Sequence, residues 1–426
     1  MKIKTKNCSY KEVMALPREK HLPPSRPAFF FSSLVRIIAG STLRKIPFSF
    51  TKQDLGEAER EPSLILMNHS CFLDLMIAAR LFYPRPYGIV CTSDGFVGKR
   101  WLMRRLGCIS TPKFVSDLTL IRDMEYALKK KKISVLMYPE ASYSFDGCAT
   151  PLPRRMGMLF KHLKVPVVMV KTEGAFLYDP LYNGLQTRHV PVHADVSCLF
   201  TREQIEEMST EELERKLDEA FTFDAFAWQK QNGIRITEPF RADGLERVLY
   251  KCPHCLCEGK TVGRGTELVC HACGKTYRLT ETGEMEAEGG APTEFAHIPD
   301  WFRWERESVR KELTDGSYLL DTDVTIGMMI DSKAIYMIGK GHLTHDRDGF
   351  LLTGGDGKLE YRQKPLSSYG LYSDYFWYEI GDMICIGNRE CLYYCFPETP
   401  GVVAKTRLAA EELFKLSMAG VRHRSH

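Results

Sequence analysis

Residues 63–74 read S-L-I-L-M-N-H-S-C-F-L-D, and this stretch decides the fold. Ser63 to Met67 is brief, apolar and preceded by Pro62, the pattern of a buried strand. Asn68 and His69 follow at its carboxyl end, and Asp74 comes five residues after the histidine. Cys71 to Phe82 then carries apolar residues at helical spacing and stops before Tyr83-Pro84. On a regular helix a five-residue offset separates two side chains by roughly 140°, too far to pair. The pair forms only if His69 is still in the turn while Asp74 is in the first turn of the helix, where side chains lean back toward the N-terminus. A carboxylate on one ring nitrogen then fixes the tautomer and leaves the other nitrogen as a base.

Working outward, strand-like runs recur at Tyr87–Cys91, Ile133–Tyr138 and Val165–Val170, with a possible short strand at Lys45–Phe50. Between them Lys99–Leu106 and Leu118–Lys131 read as amphipathic helices. Strands alternating with helices predict an α/β unit with a mainly parallel sheet flanked by helices. Sites in such sheets form at the carboxyl ends of strands, and both His69 and Pro139-Glu140 stand just past such an end. Capping boxes at Thr201/Gln204 and Ser209/Glu212 open polar helices that leave the unit.

The wider chain sets bounds. Its 426 residues are enough for two or three units, and 44% hydrophobic with 26% charged content is ordinary for a globular protein. A net charge of +4 gives no bulk argument for nucleic acid. No window reaches the roughly 20 apolar residues that span a bilayer. The best candidate, Phe29 to Ala39, is short and carries Arg36 in its middle; with Arg26, Arg44 and Lys45 at its flanks it suits either a segment lying in a membrane interface or a core helix with basic ends. Residues 1–26 are polar and end in the helix-hostile H-L-P-P-S-R-P, and Gly283 to Thr293 reads as a linker.

Of 14 cysteines, four form a cluster: Cys252-x2-Cys255 and Cys270-x2-Cys273. Each pair fits a knuckle aiming two thiolates at one tetrahedral ion, and a closed site of four cysteines is structural. K-C-P-H-C and C-H-A-C-G-K-T-Y resemble a zinc ribbon, so structural Zn2+ is expected, with His254, His271 and Cys257 close by. Thiolate ligands need reducing conditions, which places the chain in the cytoplasm. Ribbons often touch nucleic acid, but Lys251, Lys260, Arg264, Lys275 and Arg278 against Glu258 and Glu267 make no dense basic stripe, so no nucleic-acid partner is expected. From Tyr318 the pattern turns to short β-rich runs with Gly/Asp turns, closed by one helix at Thr406–Leu416. By pattern this region resembles a pleckstrin-homology-like barrel. Its aromatic stretch Tyr369–Trp377 reads as cross-strand packing in preference to a lipid-contacting patch.

N-H-S-C-F-L-D, then Y-P-E at 138–140 and V-P-V-V at 165–168, resemble the glycerophospholipid acyltransferase family, which includes the lysophosphatidate (1-acylglycerol-3-phosphate) acyltransferases. The first block matches the family's N-H-x4-D at Asn68, His69 and Asp74. The second block ends in an arginine where Gly107 to Phe114 offers Lys113. The third, usually F-P-E-G-T-R-S, is Y-P-E-A-S-Y-S here, so the glutamate is kept while the glycine and the arginine are gone. The resemblance spans residues 60–200. It implies transfer of a fatty acyl group from a thioester, acyl-CoA or acyl carrier protein, to a hydroxyl of a lysophospholipid. His69 would be the general base and Asp74 its orienter; Asn68, Lys113 and Glu140 would bind substrate. Arg154 and Arg155, or Arg188, would compensate for the lost motif arginine. Such a substrate places the protein peripherally on the inner face of the cell membrane. The expected division is 1–60, an N-terminal segment; 61–245, the acyltransferase-like domain; 246–282, the ribbon; and 296–426, the β-rich domain. The missing third-block residues keep a second reading open, a catalytically weakened lipid-binding or membrane adaptor.

Overall fold

The computed structural model describes residues 2–115 and 118–424, with side chains described to residue 420. Its strands are β1 (Thr5–Asn7), β2 (Phe48–Lys52), β3 (Leu64–Met67), β4 (Tyr87–Thr92), β5 (Cys108–Thr111), β6 (Ser134–Met137), β7 (Val167–Glu173) and β8 (Val192–Phe200), then β9 (Thr261–Arg264), β10 (Glu267–Cys270), β11 (Thr276–Leu279) and β12 (Met285–Ala287). The last seven are β13 (Leu320–Met329), β14 (Ile335–Asp346), β15 (Gly349–Gly354), β16 (Leu359–Gln363), β17 (Tyr372–Trp377), β18 (Gly381–Gly387) and β19 (Leu392–Pro397). They build three sheets.

The first sheet has the order β2-β8-β7-β3-β6-β4-β5. All its pairings are parallel except β7 with β8. Its central strands are apolar throughout because helices cover both faces. The period of two sorts their side chains: Ile65, Met67, Leu136 and Val168 pack on one face with the helix Leu73–Phe82, while Leu64, Leu66, Val135 and Val167 pack on the other. The helix Phe29–Leu43 lies on the first of these faces through Ala39 and Leu43. Two strands, β5 and β8, were not expected, although V-H-A-D-V-S-C-L-F in β8 alternates buried and less buried positions.

The second sheet, β12-β11-β10-β9, is antiparallel and carries the four clustered cysteines at its knuckles. The third runs β16-β15-β14-β13-β19-β18-β17, closed by the helix Val402–Arg424. One continuous core joins these parts. Trp301 on the helix Ile298–Asp315 is fully buried, meets Tyr277 of β11 edge-on at 4.9 Å and donates its indole N–H to the Lys251 carbonyl at 3.0 Å.

Two segments differ from expectation. Residues 1–26 contribute β1, which pairs in parallel with Ile335–Met337 of β14, and the helix Tyr10–Met14, whose N-terminus is closed by a Ser9/Glu12 capping box and whose Val13 is fully buried. The stretch read as a linker contains β12, with Met285 fully buried, and Glu294 accepts the Tyr277 hydroxyl at 2.7 Å. In both places a few apolar residues inside polar sequence do the anchoring.

Candidate active site

β3 ends at Met67, and the chain turns through Asn68–Phe72 into the helix Leu73–Phe82. His69 lies in that turn and Asp74 in the helix's first turn, so the offset of five closes: His69 Nδ1 is 3.0 Å from Asp74 Oδ2. The same oxygen accepts the backbone N–H groups of Ser70 (2.7 Å) and Cys71 (3.2 Å), a carboxylate held at a helix N-terminus where the dipole favours it. Asp74 is fully buried, and its Oδ1 has no hydrogen-bond partner. With Asp74 as acceptor, the imidazole proton sits on Nδ1 and Nε2 keeps its lone pair. Nε2 makes no hydrogen bond among the described residues. Burial pulls the His69 pKa below its ordinary value; Asp74 opposes this and the Lys113 cation adds to it. Burial and the nearby cation thus both favour the neutral ring.

The imidazole is gripped by two tyrosines whose packing role the sequence does not reveal. Tyr138 stacks on it at 3.9 Å between centroids, and Tyr143, the residue at the family's arginine position, lies against it at 4.3 Å. The third-block loop is also braced from afar. Arg407, on the closing helix, donates to Ser142 Oγ at 2.8 Å and to the Tyr143 carbonyl at 3.4 Å, lies over Phe145 at 4.2 Å, and pairs with Glu411 at 3.2 Å. Only its fold partners reveal Arg407; nothing near it in sequence does.

His69 opens onto a cavity of about 1390 Å³. Small-molecule sites usually take about 300–1,000 Å³, so this one has room for a chain-bearing ligand. Its walls come from the first sheet and its helices (Phe72, Leu75, Ile89, Leu102) and its roof from the third sheet (Tyr372, Asp374).

The expected substrate contacts divide. Lys113 borders the cavity, with Nζ 4.2 Å from the Tyr372 ring centroid, and burial lowers its pKa. Arg154 and Arg155 are exposed at its border, Arg154 over the Phe414 ring at 5.5 Å. Expected to touch substrate, Asn68 and Glu140 are instead buried behind the site and do not border the cavity. Asn68 clamps β3 to β7: it donates to the Thr172 carbonyl (3.0 Å) and accepts the Thr172 N–H (2.7 Å) and hydroxyl (3.1 Å). Glu140 accepts the His69 N–H (2.8 Å) and both the N–H and hydroxyl of Thr150 (2.9 and 3.1 Å), tying two loops together; burial pushes its carboxyl up to about 7 despite these bonds. Arg188, named as a compensating cation, is buried away from the cavity on Asn183, Tyr182 and the Arg241 carbonyl.

At the second sheet, the sulfurs of Cys252, Cys255, Cys270 and Cys273 all lie within 4.8 Å of one another, with Cys252–Cys273 at 3.9 Å and Cys255–Cys270 at 3.7 Å. Tetrahedral Zn–S bonds of about 2.3 Å demand sulfurs about 3.8 Å apart, so the group fits such an ion. Both knuckles share one geometry: Leu256 N–H bonds the Cys252 carbonyl and Gly274 N–H the Cys270 carbonyl, each from a left-handed residue. His254 is turned away toward Glu294, at 3.3 Å.

Residues 49–172 match the family model described as Acyltransferase. This match covers the part of the chain that carries His69 and Asp74 and supports acyl transfer as the general chemistry there. Among solved structures, the 1-acyl-sn-glycerophosphate (LPA) acyltransferase PlsC from Thermotoga maritima is similar at 13% identity, over 43% of this chain and 78% of that one, with a TM-score of 0.31. So loose a likeness carries no weight here. No curated protein matches the chain.

Proposed function

We propose that the protein transfers a fatty acyl group from a thioester, acyl-CoA or acyl carrier protein, to a hydroxyl of a lysophospholipid such as 1-acylglycerol-3-phosphate. The observation that carries this reading is the His69–Asp74 pair, with Nε2 unbonded at a cavity large enough for a lipid chain. His69 takes the acceptor's hydroxyl proton on Nε2 as the oxygen bonds to the thioester carbonyl carbon. The C–S bond then breaks, and the leaving thiolate recovers the proton from His69. Asp74 holds the ring and stabilises its cation, and Lys113 meets the phosphate as a point charge in place of a two-pronged guanidinium. Asn68 and Glu140 act through the loops they tie.

The catalytic unit we assign to residues 61–245 with β2 at its edge, and the four cysteines of 246–282 to a structural Zn2+. Membrane docking is supported by one surface. Phe29, Phe30, Ile37 and Ile38 project from the helix Phe29–Leu43, with Phe29 71% exposed, and Phe72 and Leu102 carry exposed apolar surface to the cavity itself. No helix among the described residues is long and apolar enough to cross a membrane, so the contact we propose is interfacial.

The test is mass spectrometry of the products after incubation with labelled acyl thioester and a lysophospholipid panel. His69→Ala removes the base and Asp74→Asn fixes the wrong tautomer; each is expected to cost at least about a hundredfold in rate. Transfer that continues undiminished in His69→Ala sinks this mechanism. The adaptor reading takes its support from Tyr143 in the arginine position; it expects lipid binding without product.

A further inference from the structure

The cavity roof is made by an irregular piece of chain. In a regular strand successive side chains face opposite ways, yet Asp374, Tyr375, Phe376, Trp377 and Tyr378 all border the cavity. Two features make this possible. The β17–β18 register shifts between Asp374 and Trp377, and Phe376, Tyr378 and Glu379 all take left-handed backbone angles (φ 52°, 46° and 65°). Bulky side chains rarely sit there. They are held from outside: Asp382 Oδ1 accepts the Phe376 N–H at 3.2 Å, Arg247 lies over the Phe376 ring at 4.2 Å, and Asp94 Oδ2 accepts the Trp377 indole N–H at 3.2 Å. Strain maintained by so many partners collects at functional sites.

What the irregularity presents is a carboxyl group with no direct cationic contact. Asp374 accepts the Tyr375 N–H at 2.9 Å and forms no ion pair among the described residues; Lys113, the cation it feels most, has its Nζ over the Tyr372 ring. Burial raises its pKa to about 7, Lys113 opposing and Asp94 and Asp382 adding to the rise. Lys113 is electrostatically coupled both to His69 and to Asp374. The cavity therefore offers an imidazole, a cation and a carboxyl group whose ionised form a bound cation would favour, among aromatic side chains. An acceptor lipid whose headgroup carries an amine offers a hydroxyl, a phosphodiester and an ammonium.

We propose that Asp374, with the aromatic side chains around it, forms a subsite for the cationic nitrogen of a zwitterionic lysophospholipid, Lys113 meeting its phosphate and His69 its hydroxyl. This rests on the transferase reading and names its acceptor class. A carboxylate pairs with a primary ammonium by charge-assisted hydrogen bonds and with a quaternary one by charge alone, and aromatic faces add cation–π attraction to either. A phosphate monoester leaves Asp374 unpaired and adds negative charge near it.

The experiment compares lysophospholipids of one chain length bearing phosphate, phosphoglycerol, phosphoethanolamine or phosphocholine, in the full-length protein and in Asp374→Asn and Asp374→Glu. Rates and calorimetric binding of short-chain, monomeric forms are both read. We expect kcat/KM for the ethanolamine or choline lipid to exceed that for the phosphate monoester at least tenfold. Asp374→Asn should erase this ratio by raising KM, and Asp374→Glu should restore part of it. A protein that acylates the phosphate monoester best, or whose ratio does not move in a folded Asp374→Asn, overturns the subsite and leaves the transferase standing. Binding of the amine lipid through Asp374 without any product leaves the subsite standing and overturns the transferase. Neither binding nor product overturns both.

Discussion

At the level of single residues, the proposed chemistry depends on Lys113 acting electrostatically on His69. The lysine cation disfavours a second proton on the imidazole, so it adds to burial in keeping the base neutral. In a pH–rate profile the acid limb of kcat/KM should fall below the ordinary histidine value of about 6.5. Replacing Lys113 by Met removes the repulsion, and the acid limb should move to higher pH; a limb that stays or moves down contradicts this electrostatic picture. His69 and Asp74 were legible in sequence because the turn and first helical residues that unite them are contiguous. Tyr143 was legible only as a missing arginine. That it packs on the imidazole depends on a loop from another strand, which residue spacing does not encode. That Asn68 and Glu140 lie buried and off the cavity wall has the same origin: a place just past a strand end does not say which way a side chain faces.

Among elements, the closing helix reaches the loop that packs on His69. Arg407 is 4% exposed and supports Ser142 and Tyr143 while sharing Glu411 with Arg306, whose own bond to Glu411 is 2.7 Å. Arg407→Ala should cost about 1–3 kcal/mol, because buried acceptors on Ser142 and Tyr143 lose their donor while Glu411 keeps Arg306. Denaturant melts check the size, and a kcat loss larger than the change in KM would report the loosened loop. Strands β3, β6 and β7 were readable because sheet interiors are continuous apolar runs, and the helix after β3 because its period is 3.6. Strands β1 and β12 were not: each is only three residues long inside a polar stretch, and each exists because a neighbouring edge accepts it.

For the molecule as a whole, the four-cysteine unit is not an appendage. Tyr277 and Met285 of its sheet share one core with Trp301 and with strands of the third sheet. Metal analysis should find about one zinc per chain, lost in Cys252→Ser. Because the core is continuous, calorimetry of the metal-free protein should show the third sheet's transition lowered with the ribbon's. An unchanged main transition after metal loss contradicts that coupling. The cysteine spacing announced the cluster, but its attachment to the rest of the chain depends on Trp301 of the helix Ile298–Asp315, far along the sequence.

The pairing of β1 with β14 bears on synthesis. Thr5–Asn7 leaves the ribosome long before Ile335–Met337 exists to receive it. At about 5–20 residues per second, the interval is on the order of tens of seconds. Through it the β1 segment lacks its strand partner, and the cavity lacks the roof that the third sheet supplies. A nascent chain can build the sheet around His69 early, yet the lipid-sized chamber closes only once the last third of the protein has emerged.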